Sequence, residues 1–130
     1  MTIPEKQVGI VLVSHSEALA REAAAMAVQI AGPHVHVAPA GGTDDGGCGT
    51  SADKVAAAIE QVDQGIGVVL IPDLGSSVLT ARLFEQPDSI VIADVPFVEG
   101  AISAAVLAGT GATLATVLIA AQEAREYRKL

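Results

Sequence analysis

Aromatic residues are nearly missing from this chain: its 130 residues include no tryptophan, one tyrosine and two phenylalanines. Large planar side chains therefore cannot fill a core, and with 51% of residues hydrophobic the interior must be built from Val, Ile, Leu and Ala packed at short distances. Such packing favours helices laid tightly on a sheet. Cysteine is reduced to Cys48, which excludes an intrachain disulfide. Cations are scarce as well. Seven Lys and Arg face 15 Asp and Glu, and the net charge of −8 opposes the counterion release that drives nucleic-acid binding, so no DNA or RNA partner is expected. The chain does not begin with a basic segment followed by an apolar one, so no secretory leader is expected and the cytosol is the default compartment.

Charge is also absent from residues 101–122, a run long enough to cross a bilayer. Gly109-Thr110-Gly111 interrupts it, and its Ala, Ser and Thr outnumber the seven Leu, Ile and Val that would supply insertion energy. Two small buried helices joined by a glycine turn are expected there, with no membrane span. The length suits a single domain over residues 1–130, large enough to bury a continuous core.

What the chain does contain is alternation. Short β-rich runs at 8–13, 35–38, 67–71 and 89–93 are separated by Ala-rich segments of helical spacing at 17–31, 52–62 and 78–84. A further helix is expected near Phe97 and another over 114–128, where Arg125, Arg128 and Lys129 would complement the helix dipole. Strands alternating with helices imply βαβ units and a parallel α/β sheet. The first, third and fourth runs are apolar without alternation, as expected of strands covered on both faces. "HVHV" at 34–37 alternates instead, which suits an edge strand with His34 and His36 on one partly wet face. Right-handed crossovers leave strand order 2-1-3-4 as the commonest arrangement for so short a chain, with helices on both faces.

In that order strands one and three are neighbours, and a crevice opens at their carboxyl ends. "VSHSEALAREAA" places His15 at the end of strand one, and "VVLIPDLGSS" places Asp73 at the end of strand three. Adjacent strands lie about 4.8 Å apart, so the two side chains come within hydrogen-bonding reach. A carboxylate holding one imidazole N–H fixes the tautomer and turns the other nitrogen's lone pair outward, the requirement of a nucleophilic histidine. Nε2 is then the expected reacting atom, since Nδ1 lies nearer the backbone and the acid. The plainer alternative is a strand-end histidine with Asp73 as an ordinary loop acid and helix cap.

Neighbouring residues favour the chemical reading. Helix N-termini and glycine turns are anion sites, and "DLGSS" offers Gly75, Ser76 and Ser77 as phosphoryl donors. The glycine-rich "AGGTDDGGCGTSADK" after strand two adds Gly42 and Thr43 as candidates, although it also reads as a flexible connection whose Ser51 caps a helix. It lacks the Gly-Lys-Ser/Thr of a Walker loop. Gly-x-Ser-x-Gly, a magnesium-holding acid cluster after strand one and Gly-x-Gly-x-x-Gly are absent too, so serine hydrolase, receiver and Rossmann chemistries fit poorly. His34 and His36 have no evident third ligand, so no metal is expected, and Cys48 reads as an ordinary thiol.

Four segments in order, "VGIVLVSHSEALA", "AGGTDDGGCGTS", "LIPDLGSSVLTARLF" and "VPFVEGAISAAV", resemble the phosphotransferase subunits of PTS-dependent dihydroxyacetone kinases, within the mannose-type enzyme IIA family. The resemblance covers nearly the whole chain. It implies a flavodoxin-like three-layer homodimer that accepts a phosphoryl group from the phosphocarrier protein HPr on His15, with Asp73 as the orienting carboxylate. The group would pass to ADP held with Mg²⁺ on the kinase's nucleotide-binding subunit; no cofactor is implied for this chain itself. Pro72 and Cys48 depart from the family's usual apolar residues without removing a reactive group. Some relatives continue into carrier and enzyme I domains, so with an end at Leu130 the donor is expected to be a separate protein. Two rivals remain: a histidine-phosphorylated sensor without onward transfer, and an aspartyl phosphate on Asp73.

Overall fold

The computed structural model describes residues 2–130. Four strands, β1 (Gly9–Ser14), β2 (Val37–Gly41), β3 (Val68–Pro72) and β4 (Ile90–Ile92), form one sheet in the order β2-β1-β3-β4. Every pairing in it is parallel. The helices are α1 (Glu17–Ala31), α2 (Ala52–Val62), α3 (Gly75–Ala81), α4 (Phe97–Gly109) and α5 (Leu114–Glu123). This is the expected α/β flavodoxin-like arrangement of three layers.

The strand alternation divides the core in two. Ile10, Leu12, Val69 and Ile71 face α1, α4 and α5, whereas Val11, Val13, Val68 and Leu70 face α2 and the end of α3. All eight are 0% exposed, and each such side chain contributes about 1.5–3 kcal/mol by leaving water. The helices meet the sheet through alanine. Ala20, Ala23, Ala24 and Ala27 form the buried stripe of α1, and Ala101, Ala104, Ala105 and Ala108 that of α4. Small side chains let helix and sheet approach closely, which is how a chain without tryptophan closes its core.

The helix α1 keeps its expected limits because both ends carry signals: the Ser16 hydroxyl accepts the Leu19 N–H, and Gly32 closes the helix at a φ of 117°. Other boundaries move. The second strand begins at Val37 rather than 35, so the pattern "HVHV" lies mostly before it and the two histidines do not share a strand face. His34 Nε2 lies 3.2 Å from the Gly109 carbonyl oxygen, and His36 Nε2 lies 3.1 Å from the Gln64 amide nitrogen. Pro39 sits in β2 because an edge strand tolerates a missing N–H.

The helix α3 begins three residues before the expected 78, and residues 82–84 tighten into a 3₁₀ turn. The last helix stops at Glu123, well short of 128, so the terminal cations do not serve its dipole. Instead Arg125 donates to the Asp94 carbonyl at 2.6 Å and Lys129 pairs with Glu99, tying the chain end to the start of α4. The uncharged run 101–122 divides into α4 and α5 at a turn where Gly111 takes a φ of 81°. Among the described residues no helix is long and apolar enough to cross a membrane.

Candidate active site

The site follows from the register of β1 on β3. Val13 is level with Pro72, and the Asp73 N–H extends the ladder by donating to the Val13 carbonyl at 2.9 Å. Ser14 and Asp73 therefore emerge side by side at the carboxyl end of the sheet, with His15 at the turn leading into α1. On the other side of β1, the Gly42 N–H donates to the Ser14 carbonyl at 3.1 Å, and the Gly49 N–H donates to the His15 carbonyl at 3.0 Å. The β2–α2 loop is thus pinned against the strand end.

Asp73 is the hub. Its Oδ1 accepts from His15 Nδ1 at 3.1 Å and from the Leu74 N–H at 2.7 Å. Its Oδ2 accepts from the Ser14 hydroxyl at 2.9 Å and from the His15 N–H at 3.1 Å. Burial pushes the carboxyl up, the largest single influence on it, but the donors from His15, Ser14 and Leu74 together outweigh that and hold it below the ordinary 3.8. An ionised carboxylate only accepts, so Nδ1 carries the imidazole proton and Nε2 presents its lone pair. The Ser76 hydroxyl lies 2.8 Å from Nε2 and, in this tautomer, donates to it. The His15 side chain is 22% exposed and the Asp73 side chain 8%, so the nitrogen is reachable while its anchor is not.

The structure brings only some of the other expected residues to the imidazole. Ser76 reaches it. Gly75 and Ser76 open α3, where first-turn N–H groups have no intrahelical acceptor, and they are exposed beside the ring. Ser77 turns inward: it is buried, and its hydroxyl donates to the Leu74 carbonyl at 2.7 Å while accepting the Leu74 N–H at 3.3 Å. That closes the first turn of α3. Gly42 and Thr43, expected as donors, are engaged elsewhere. The Gly42 N–H is held by Ser14, the Thr43 N–H by the Gly47 carbonyl at 3.0 Å, and the Thr43 hydroxyl by Asp45. They shape the rim of the site.

Beside His15 lies a depression of about 420 Å³, lined in part by Ser16, Glu17, Arg21, Gly47 and the exposed Cys48. Among the described residues no three His, Cys, Asp or Glu side chains gather into a metal-holding group. Sequence reasoning missed two contacts: Ser14 as a donor to Asp73, and Gly49 on the His15 carbonyl. The first had a signal, since a hydroxyl ending an otherwise apolar strand needs a polar partner once buried.

A family model described as the PTS system fructose IIA component, of the mannose-type enzyme IIA class, matches residues 9–118. The chain belongs to that family. Among relatives of this IIA chain is the phosphoryl donor subunit DhaM of PEP-dependent dihydroxyacetone kinase 2 from Listeria innocua, 36% identical over 76% of this chain and 84% of that protein. The phosphotransferase subunit DhaM of the PTS-dependent dihydroxyacetone kinase from Lactococcus lactis is 32% identical over 84% of this chain and 89% of that one. The Escherichia coli DhaM subunit is 33% identical over 94% of this chain but only 28% of its own length, so the IIA chain spans about a quarter of that longer relative. A crystal structure of a protein of unknown function is 32% identical, with a TM-score of 0.79, over 91% of this chain and 95% of the other. A sigma-54 interaction domain protein from Enterococcus faecalis shares the fold at a TM-score of 0.68 and 14% identity, covering 95% of this chain and 93% of its own.

Proposed function

We propose that this IIA chain is the phosphoryl donor subunit of a dihydroxyacetone kinase, accepting a phosphoryl group from HPr on His15 and passing it to ADP. The single observation that carries this reading is the clamped imidazole, with Nδ1 bound to Asp73 and Nε2 met by an exposed hydroxyl. The Nε2 lone pair attacks the donor's phosphorus in line. The P–Nε2 bond forms as the P–N bond to the donor imidazole breaks, and the pair of electrons leaves with that imidazole. The proton on Nδ1 stays with the ring, and Asp73 balances the charge the ring gains. Ser76, with the N–H groups of Gly75 and Ser76, meets the equatorial oxygens of the transferring group.

In the second step an oxygen of the terminal phosphate of ADP takes the phosphoryl group and His15 returns to its neutral form. ADP and its Mg²⁺ belong to the kinase's nucleotide-binding subunit, and this chain contributes no cofactor. The chain acts as one domain over residues 1–130, as a homodimer in the cytoplasm. A net charge of −8 suits donor and acceptor faces bearing basic residues. Asp73 is a poor phosphoryl acceptor beside His15, because its carboxylate is nearly enclosed and already accepts four donors.

The test is incubation with labelled phosphoenolpyruvate, enzyme I and HPr. The wild-type chain takes up acid-labile, alkali-stable label, His15→Ala takes up none, and label moves on to the ADP-loaded nucleotide-binding subunit. Label retained on His15→Ala removes the histidine mechanism. Label that stays on the wild-type chain in the presence of that subunit favours a sensor without onward transfer.

A further inference from the structure

"SHS" contains a second serine besides the helix cap Ser16, and its place in the site differs. Ser14 ends β1 on the face shared with Ile10 and Leu12, and it is 0% exposed. Its hydroxyl has two partners: it accepts the Ser16 N–H at 3.0 Å and lies 2.9 Å from Asp73 Oδ2. The direction of the hydroxyl proton is fixed by its neighbours. An amide N–H only donates and a carboxylate only accepts, so the proton points to Asp73. The bonds run head to tail from Ser16 N–H through Ser14 to one carboxylate oxygen, and the other oxygen holds His15 Nδ1.

Resting on the phosphohistidine reading above, we propose that Ser14 is a positioning residue for phosphoryl transfer: its buried hydroxyl fixes the Asp73 carboxylate, which in turn holds the His15 imidazole in the Nδ1–H tautomer. Ser14 never meets the phosphoryl group. Its effect passes through the orientation of the carboxylate, on which it is the only side-chain hydroxyl among the described residues. Alanine at this position removes the acceptor of the Ser16 N–H and leaves one lone pair of the nearly enclosed Oδ2 without a partner. The carboxylate keeps its bonds from His15 and Leu74 but loses the side-chain bond that sets its tilt, and the imidazole gains the second tautomer, in which Nε2 carries the proton and cannot attack.

The experiment compares wild type, Ser14→Ala, Ser14→Cys and Ser14→Thr by ¹⁵N NMR of labelled histidine and by transfer from phosphorylated HPr. Wild type and Ser14→Thr, which keeps a hydroxyl, hold His15 as the Nδ1–H tautomer. Ser14→Ala and the weakly donating Ser14→Cys show mixed tautomers and transfer roughly tenfold more slowly, the scale of one lost charge-assisted bond, with the KM for HPr unchanged. A folded Ser14→Ala or Ser14→Cys with the wild-type tautomer and rate overturns the proposal, and so does lowered thermal stability with both readouts intact. So, too, does a Ser14 hydroxyl proton that exchanges at the solvent rate in the wild-type protein, a readout that needs no variant to fold. The tautomer readout requires no phosphoryl donor, so a wild-type chain that takes no label at His15 removes the phosphohistidine reading, and with it a role for Ser14 in transfer, whereas unchanged tautomers in Ser14→Ala overturn the positioning role alone.

Discussion

Gly75 stands at the first helical position of α3 with nothing within 4 Å of where a side chain would begin. Sterics inside the chain do not demand glycine there. In the proposed transfer, its absent methyl leaves clear the approach of the phosphoryl group to the N–H groups beside His15. Gly75→Ala therefore separates the two roles. Its unfolding midpoint should equal or slightly exceed that of wild type, by up to about 1 kcal/mol from helix propensity. Phosphoryl uptake should slow by roughly tenfold or more as the group is displaced. Single-turnover transfer and a thermal melt check both halves, and wild-type uptake would mean that the phosphoryl group does not approach this backbone.

At the scale of the element, the turn that bears His15 leads into α1, whose first turn lies close on the end of β2. A methyl on Gly41 would sit 2.3 Å from the Ser16 carbonyl oxygen and 2.9 Å from the Glu17 Cα. Both are backbone atoms, so no side-chain rotation relieves the clash. Gly41→Ala should therefore cost about 1–3 kcal/mol in urea unfolding and should push the first turn of α1 away from β2, impairing phosphorylation of His15 although residue 41 does not touch it. Element limits were legible where local chemistry marks them, as Ser16 and Gly32 mark α1. They were not legible for α3, because Gly-Ser-Ser reads as a loop until Ser77 closes the turn on Leu74. In β2 the alternation of "HVHV" looked more strand-like than "VAPAG", yet pairing with β1 begins only at Val37.

For the whole molecule, the site is also a source of stability that depends on pH. The Asp73 carboxyl titrates lower in the folded chain than its ordinary 3.8. Its contribution is therefore fully present above about pH 4–5 and is lost as pH falls through the lower, folded value. Asp73→Asn should lower the unfolding free energy by about 1–3 kcal/mol near neutral pH, since bonds to a charged acceptor are replaced by weaker ones. The gap to wild type should close in acid once the native carboxyl is protonated. Urea unfolding at a series of pH values measures this, and a gap that stays constant below pH 4 would show that the four donors do not act on the charge.

Local information in the sequence determined that strands and helices alternate, that the sheet is parallel in the order 2-1-3-4, and that His15 and Asp73 end neighbouring strands. Periodicity and the handedness of crossovers are enough for that, because each depends on short segments or on connectivity alone. Tertiary structure decided the rest. Which hydroxyl meets which atom depends on the register of β1 on β3 and on the tilt of α3, and these bring Ser14 to Asp73 across 59 residues and Ser76 to His15 across 61. The same packing tied the Gly42 N–H to the Ser14 carbonyl and the Thr43 N–H to Gly47 within the loop, and sent His34 and His36 to separate partners. A chain can declare its elements from within, but the satisfaction of each buried polar group is settled only by what the fold places beside it.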